Sequence, residues 1–129
     1  MSSHGTFCTV FDCMDGRTKE LIAAWCRQEL HVDYPDTITI AGCDGVLTRD
    51  TKELARAMGM ARISADKHHS KQAVVVGHSE CAGHRVSNEQ HRKDIEKAAK
   101  LVAGSDIFKN VIGLFLDVRT DEIMEVCRL

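Results

Sequence analysis

Four short runs, TFCTVFD (6–12), DTITIAG (36–42), QAVVVGH (72–78) and NVIGLFLDV (110–118), are separated by segments whose apolar residues return every three or four positions. This alternation constrains the fold more than any other feature of the chain. Continuous apolar runs suit strands buried on both faces, and amphipathic segments between them suit crossover helices, so the pattern predicts an α/β unit with a mostly parallel sheet. TKELIAAWCRQELH (18–31) places Ile22, Trp25, Cys26 and Leu30 on one helical face. Asp50 with Glu53 three residues on marks a second helix start, followed by Leu54, Ala57, Met58 and Ala61 at i, i+3, i+4 and i+7. Ser87 and Gln90 open a third helix in the same spacing, with Ile95, Ala98, Ala99 and Val102 as its inner stripe. Pro35 breaks the chain before the second strand, and Gly42 with Gly45 predicts a loop after it. IMEVCRL (123–129) alternates like a half-exposed strand returning antiparallel across the polar turn RTDE.

Right-handed crossovers leave few arrangements for these elements. The expected fold is a single three-layer α/β domain over residues 1–129, its sheet ordered 2-1-3-4 with an antiparallel fifth strand on the edge. In that sheet strands one and three are neighbours, and their exits lead to helices on opposite faces. The crevice between their carboxyl ends is where such folds bind ligands. Cys13 leaves strand one there, and His78 and Cys81 leave strand three there.

The chain has 129 residues, and its net charge of −2 gives no electrostatic footprint for nucleic acid or a membrane surface. No run approaches the roughly 18 apolar residues of a membrane span, and MSSHGTFCTV lacks a leader's apolar stretch, so the expected location is the cytoplasm. Six cysteines in that setting argue against a disulfide framework, leaving thiols for metal or core. Cys8, Cys26 and Cys127 read as small core residues.

Two thiolates and an imidazole meeting in one crevice suit Zn²⁺, and three protein ligands leave a position for water, whose pKa zinc lowers to about 7. Cys13, His78 and Cys81 are therefore the candidate metal ligands. Residues 13, 15 and 17 alternate, so a chain still extended beyond the strand points all three to one side. Asp15 then lies beside the metal and Arg17 beside Asp15, where the carboxylate orients the nucleophile or closes the site as a fourth ligand. A plain loop ion pair is the simpler alternative. Cys43 is a second candidate for closing the site. His84 is a candidate proton relay or a polar loop residue; His91 is expected half buried at a helix edge, and His68 and His69 exposed at a helix end.

CMDGR as Cys-x-Asp-x-Arg, GHSEC as His-x-x-Cys, IAGC after strand two and GLFLDVRTDEI as a closing hairpin together resemble the β-class carbonic anhydrases, particularly short members. The resemblance runs from about residue 6 to the end. It implies zinc held by Cys13, His78 and Cys81, an Asp15 and Arg17 dyad, reversible hydration of CO₂ to bicarbonate by a zinc-bound hydroxide, and a homodimer or larger homo-oligomer. The chain departs from the family in having Ala82 before Gly83 after the second cysteine, Thr39 and Ile40 where Arg-Asn is usual, and no glutamine upstream of Cys13. Those positions bear on the substrate pocket, so COS or CS₂ stands beside CO₂ as substrate. A non-catalytic zinc protein with four protein ligands is the alternative from another class. Phosphoryl chemistry fails on spacing: Asp12 and Asp15 are three apart where an Asp-x-Asp nucleophile needs two, and Cys13 to Arg17 encloses too few residues for a phosphate cradle.

Overall fold

The computed structural model describes residues 5–129. Met1 to His4, part of the domain expected over 1–129 and of the stretch on which the expectation about a leader rests, lie outside the described residues. The elements run β1 (Phe7–Asp12), α1 (Lys19–Leu30), β2 (Tyr34–Thr39), α2 (Cys43–Arg49), α3 (Thr51–Lys67), β3 (Gln72–His78), α4 (Asn88–Ala103), β4 (Asn110–Asp117) and β5 (Glu122–Arg128). They build one α/β domain around a five-stranded sheet ordered β2-β1-β3-β4-β5, parallel except for the β4/β5 hairpin, as the alternation predicts.

Period-two alternation sorts the central strands onto two faces. On one face Cys8, Val10, Val74, Val76, Ile112 and Leu114 pack under Ile22, Cys26 and Leu30 of α1. On the other, Phe11, Ala73, Val75 and Val111 pack under α2, α3 and α4 through Leu47, Ala57, Ala61 and the Ala98, Ala99, Val102 stripe. Full burial of each Leu, Ile or Val side chain stabilises by about 1.5–3 kcal/mol, so these two layers hold the sheet and its strand ends in place. Cys8 and Cys26 are core residues, and Cys127 is half buried. Among the described residues no helix is long and apolar enough to cross a membrane.

The structure corrects several local expectations. Strand two starts two residues before the expected 36–42, ends at Thr39, and contains Pro35, which pairs in register with Cys8. Proline is tolerated there because β2 is the sheet edge, where a missing N–H breaks no inner ladder. The predicted Gly42 and Gly45 loop is instead the start of α2: Gly42 adopts φ +66° as its N-cap. The remaining helix starts follow the sequence, with Asp50 accepting from the Lys52 and Glu53 amides and Ser87 from the Gln90 amide. His68 and His69 are exposed at the end of α3 as expected, and His68 in addition bonds Asp36 Oδ2 through Nδ1 at 2.6 Å and stacks on Phe7 at 4.0 Å.

Candidate metal centre

β1 and β3 pair directly, and α1 and α4, which follow them, cover opposite faces, so their carboxyl ends lie at the switch point of the sheet. Cys13 follows β1, His78 ends β3, and Cys81 lies in the next loop. One ligand atom from each lies within 4.8 Å of the other two, and all three side chains are buried.

The donors fit a tetrahedral metal ion. Cys13 Sγ and Cys81 Sγ are 3.9 Å apart, and metal–sulfur bonds of about 2.3 Å at a tetrahedral angle set thiolates about 3.8 Å apart. His78 Nδ1 donates to the Ser79 carbonyl at 2.7 Å, while its Nε2 is buried with no hydrogen-bond partner. One nitrogen fixed by a carbonyl and the other left with a bare lone pair is the arrangement of a metal-ligating histidine. The Gly42 amide approaches Cys13 Sγ at 3.5 Å, a donor suited to a thiolate. Burial, then the neighbouring Cys13, pushes the Cys81 thiol up to about 11, and the Gly83 and His84 amides pull it the other way.

Local bonding holds the two loops in place. Asp12, fully buried, accepts from the Cys13 amide at 2.7 Å, from Thr18 Oγ1 at 2.7 Å and from Lys19 Nζ at 3.1 Å. Lys19 also bonds the Cys13 carbonyl. On the other loop the Ser79 amide donates to the Leu116 carbonyl at 3.0 Å, and the Val118 amide to Ser79 Oγ at 2.9 Å. The loop after β3 also meets the start of α2 at backbone contact: a Cβ on Gly83 would stand 2.6 Å from the Gly42 amide nitrogen. Spacing alone did not single out Asp12 or Ser79, although a carboxylate closing an apolar strand was a visible signal.

Asp15 and Arg17 are brought together, but by a turn and not by an extended strand. β1 ends at Asp12, and the Arg17 amide bonds Asp15 Oδ1 at 2.9 Å while its guanidinium donates to Oδ1 at 3.1 Å and Oδ2 at 2.8 Å. Arg17 also reaches Glu80 Oε1 at 3.2 Å and the Glu80 carbonyl at 3.3 Å, tying the CMDGR turn to the GHSEC loop. The Arg17 bonds hold the Asp15 carboxyl well below the usual carboxylate range. The sign follows: a depressed native pKa gives a contribution complete above the ordinary value of about 4 and lost only in strong acid. A carboxyl ¹³C titration should therefore show Asp15 ionised and flat from neutral pH to below about 3, where an ordinary aspartate is already protonating.

Residues 3–127 match the family model described as "Putative carbonic anhydrase". The chain belongs to this carbonic anhydrase family. No curated protein sequence matches it. Its fold is similar to that of a carbonic anhydrase from Glaciozyma antarctica, with TM-score 0.66 at 12% identity over 92% of this chain and 81% of that one. A carbonic anhydrase from Streptococcus mutans gives TM-score 0.61 at 19% identity, again over 92% and 81%. A carbon disulfide hydrolase gives 0.55 at 15% identity over 91% and 76%. These likenesses support the carbonic anhydrase fold.

Within that fold the other candidates fall elsewhere. Cys43 joins the apolar layer with Phe11 and Leu47 and is not part of the three-residue cluster. His84 is mostly buried, its Nε2 2.6 Å from Asp94 Oδ2 and its Nδ1 3.3 Å from Arg49. His91, expected half buried, is fully buried, because Nδ1 meets Asp44 Oδ2 at 2.7 Å and this partner lets the ring leave water.

Proposed function

We propose that this member of the carbonic anhydrase family binds Zn²⁺ through Cys13, His78 and Cys81 and catalyses CO₂ + H₂O ⇌ HCO₃⁻ + H⁺. The observation that carries the reading is the buried two-thiol, one-imidazole cluster with His78 Nε2 unpartnered, followed two residues after Cys13 by a carboxylate held by arginine. Zinc with these ligands supplies ionised water at neutral pH. Asp15 would offer a hydrogen-bond acceptor to a water held there, and Arg17 keeps the carboxylate ionised and oriented for that role. Because Arg17 occupies both Asp15 oxygens, the carboxylate stays out of the ligand set at rest. That favours an enzyme over a closed four-ligand zinc protein.

A homodimer belongs to the same reading. Met14, 67% exposed, and Val86, 37% exposed, flank the two ligand-bearing loops and offer apolar surface for a second copy to cover. The cytoplasm, which keeps thiols reduced, suits the ligand set.

Stopped-flow assays of one zinc-quantified sample against CO₂, COS and CS₂ at pH 7 to 9 test the function. CO₂ turnover is expected, with a dimer by light scattering at micromolar concentration. No CO₂ turnover at any of these pH values overturns the proposal, and turnover of COS or CS₂ alone reassigns the substrate.

A further inference from the structure

Glu80 stands between the candidate ligands His78 and Cys81 with φ +54°. Among the described residues five non-glycine residues have positive φ, and the other four are His31, His69, Asp106 and Asp121. Aspartate and histidine enter the left-handed region several times more readily than most side chains, so Glu80 is the exception in this set. The loop has to turn there to bring Cys81 back beside His78. Glycine would make that turn without steric cost, so the backbone alone does not account for a glutamate. Its side chain does.

The Glu80 carboxylate lies between two guanidinium groups. Arg17 Nη1 donates to Oε1 at 3.2 Å, and Arg119 Nε, from the turn between β4 and β5, stands 3.2 Å from Oε2. The Glu80 carbonyl accepts from Arg17 Nη2 at 3.3 Å, so Arg17 is held at two points by one residue of the ligand loop. Asp15, Arg17, Glu80 and Arg119 thus alternate in sign along one chain of contacts. Arg17 and Glu80 are half exposed, and a lone pair in that setting contributes little. A network with two-point contacts acts differently, because it fixes orientation.

Asp15 and Arg17 bond each other within a single turn and can therefore move as a unit. Among the described residues, the contacts with Glu80 are the only hydrogen bonds or ion pairs from either of them to the loop that carries Cys81. The distance from the carboxylate to the ligand cluster thus depends on Glu80. Misplacing an orienting group by about 1 Å can cost a rate about a hundredfold, so such an anchor has a use that outweighs its backbone strain.

Resting on the CO₂-hydration reading, we propose that Glu80 is a positioning residue for the reaction. It anchors Arg17 to the ligand loop and through Arg17 sets Asp15 against Cys13, His78 and Cys81, while Arg119 steadies its carboxylate from the closing hairpin.

The test compares the unmodified full chain with Glu80→Gly and Glu80→Gln by ¹⁵N relaxation at Arg17 Nε, bound zinc, urea midpoint and stopped-flow CO₂ hydration. The Arg17 Nε order parameter is expected near the rigid value of about 0.85 in the unmodified chain and below about 0.6 in Glu80→Gly. Glycine suits the left-handed backbone, so the urea midpoint should not fall and zinc should stay bound. kcat should fall roughly tenfold at unchanged KM, the pattern of an interaction that counts in the transition state. Glu80→Gln keeps an acceptor for Arg17 and should recover most of the order and the rate. An order parameter unchanged in Glu80→Gly overturns the proposal, and so does a mobile Arg17 with undiminished kcat. An unmodified chain that hydrates no CO₂ refutes the functional reading instead, and the Arg17 order parameter still decides whether Glu80 is its anchor.

Discussion

Asp15→Ala is expected to keep the metal between Cys13 and Cys81 and to lose CO₂ hydration by roughly a hundredfold or more, the scale of a general acid–base or orienting group. The separation follows from the geometry. Asp15 lies outside the ligand cluster, and both its oxygens are engaged by Arg17 and not by any residue that holds Cys13, His78 or Cys81. Removing it leaves Asp12, Ser79 and the Gly42 amide in place around the three donors. The measurements are bound zinc per chain and stopped-flow hydration on the same sample. The variant also separates the two classes of function. If Asp15 were the fourth ligand of a closed site, its removal would open a position and activity would rise. Arg17→Lys adds a second arm: one ammonium cannot reproduce the two-oxygen clamp, so hydration should fall while zinc stays bound. Undiminished hydration in Asp15→Ala would remove the carboxylate from the mechanism, whatever the substrate.

Much of this was legible because the fold and the candidate metal cluster depend on features that sequence displays directly. QAVVVGH can only be a strand buried on both faces, and once β1 and β3 are neighbours the topology brings Cys13 to His78 and Cys81 without further information. The polar network around them was less legible, since it depends on turns. Asp15 and Arg17 meet, but through a tight turn after Asp12, which alternation along an extended chain does not describe. Gly42 and Gly45 read as loop residues because glycine usually interrupts helices. Here a left-handed Gly42 starts α2, and Gly45 is required because the His84 ring occupies the place of its side chain. His91 misled for a related reason. Helical periodicity places a residue on a face, but the carboxylate that lets an imidazole be buried comes from Asp44, 47 residues away in the chain. Contacts of that range carry no local signal.

Asp12→Ala is expected to cost about 1–3 kcal/mol of folding stability, read as a lower urea midpoint at unchanged slope. Asp12 is the common acceptor for a buried amide, a buried hydroxyl and an ammonium: Cys13 N, Thr18 Oγ1 and Lys19 Nζ. Lys19 is 33% exposed and can turn to water, so its share is small. The cost falls chiefly on the Cys13 amide, which loses its acceptor at about 1–3 kcal/mol, since Thr18 Oγ1 also reaches the Asp15 carbonyl at 3.1 Å. Against a domain stability of about 5–15 kcal/mol this is a large fraction. The same loss reaches the metal, because the amide that Asp12 anchors belongs to Cys13. Metal affinity should fall by roughly 10- to 100-fold, as when other supports of ligands are removed. Asp12→Asn separates charge from shape, since the amide oxygen still accepts from Cys13 or Thr18 while Lys19 loses its counter-ion. If Asn restores most of the stability and metal affinity lost in Ala, the buried carboxylate acts chiefly as a hydrogen-bond hub. If Asn is as damaging as Ala, the ion pair to Lys19 is what holds Cys13 in place, and the thiolate's position then depends on a charge at the first turn of α1.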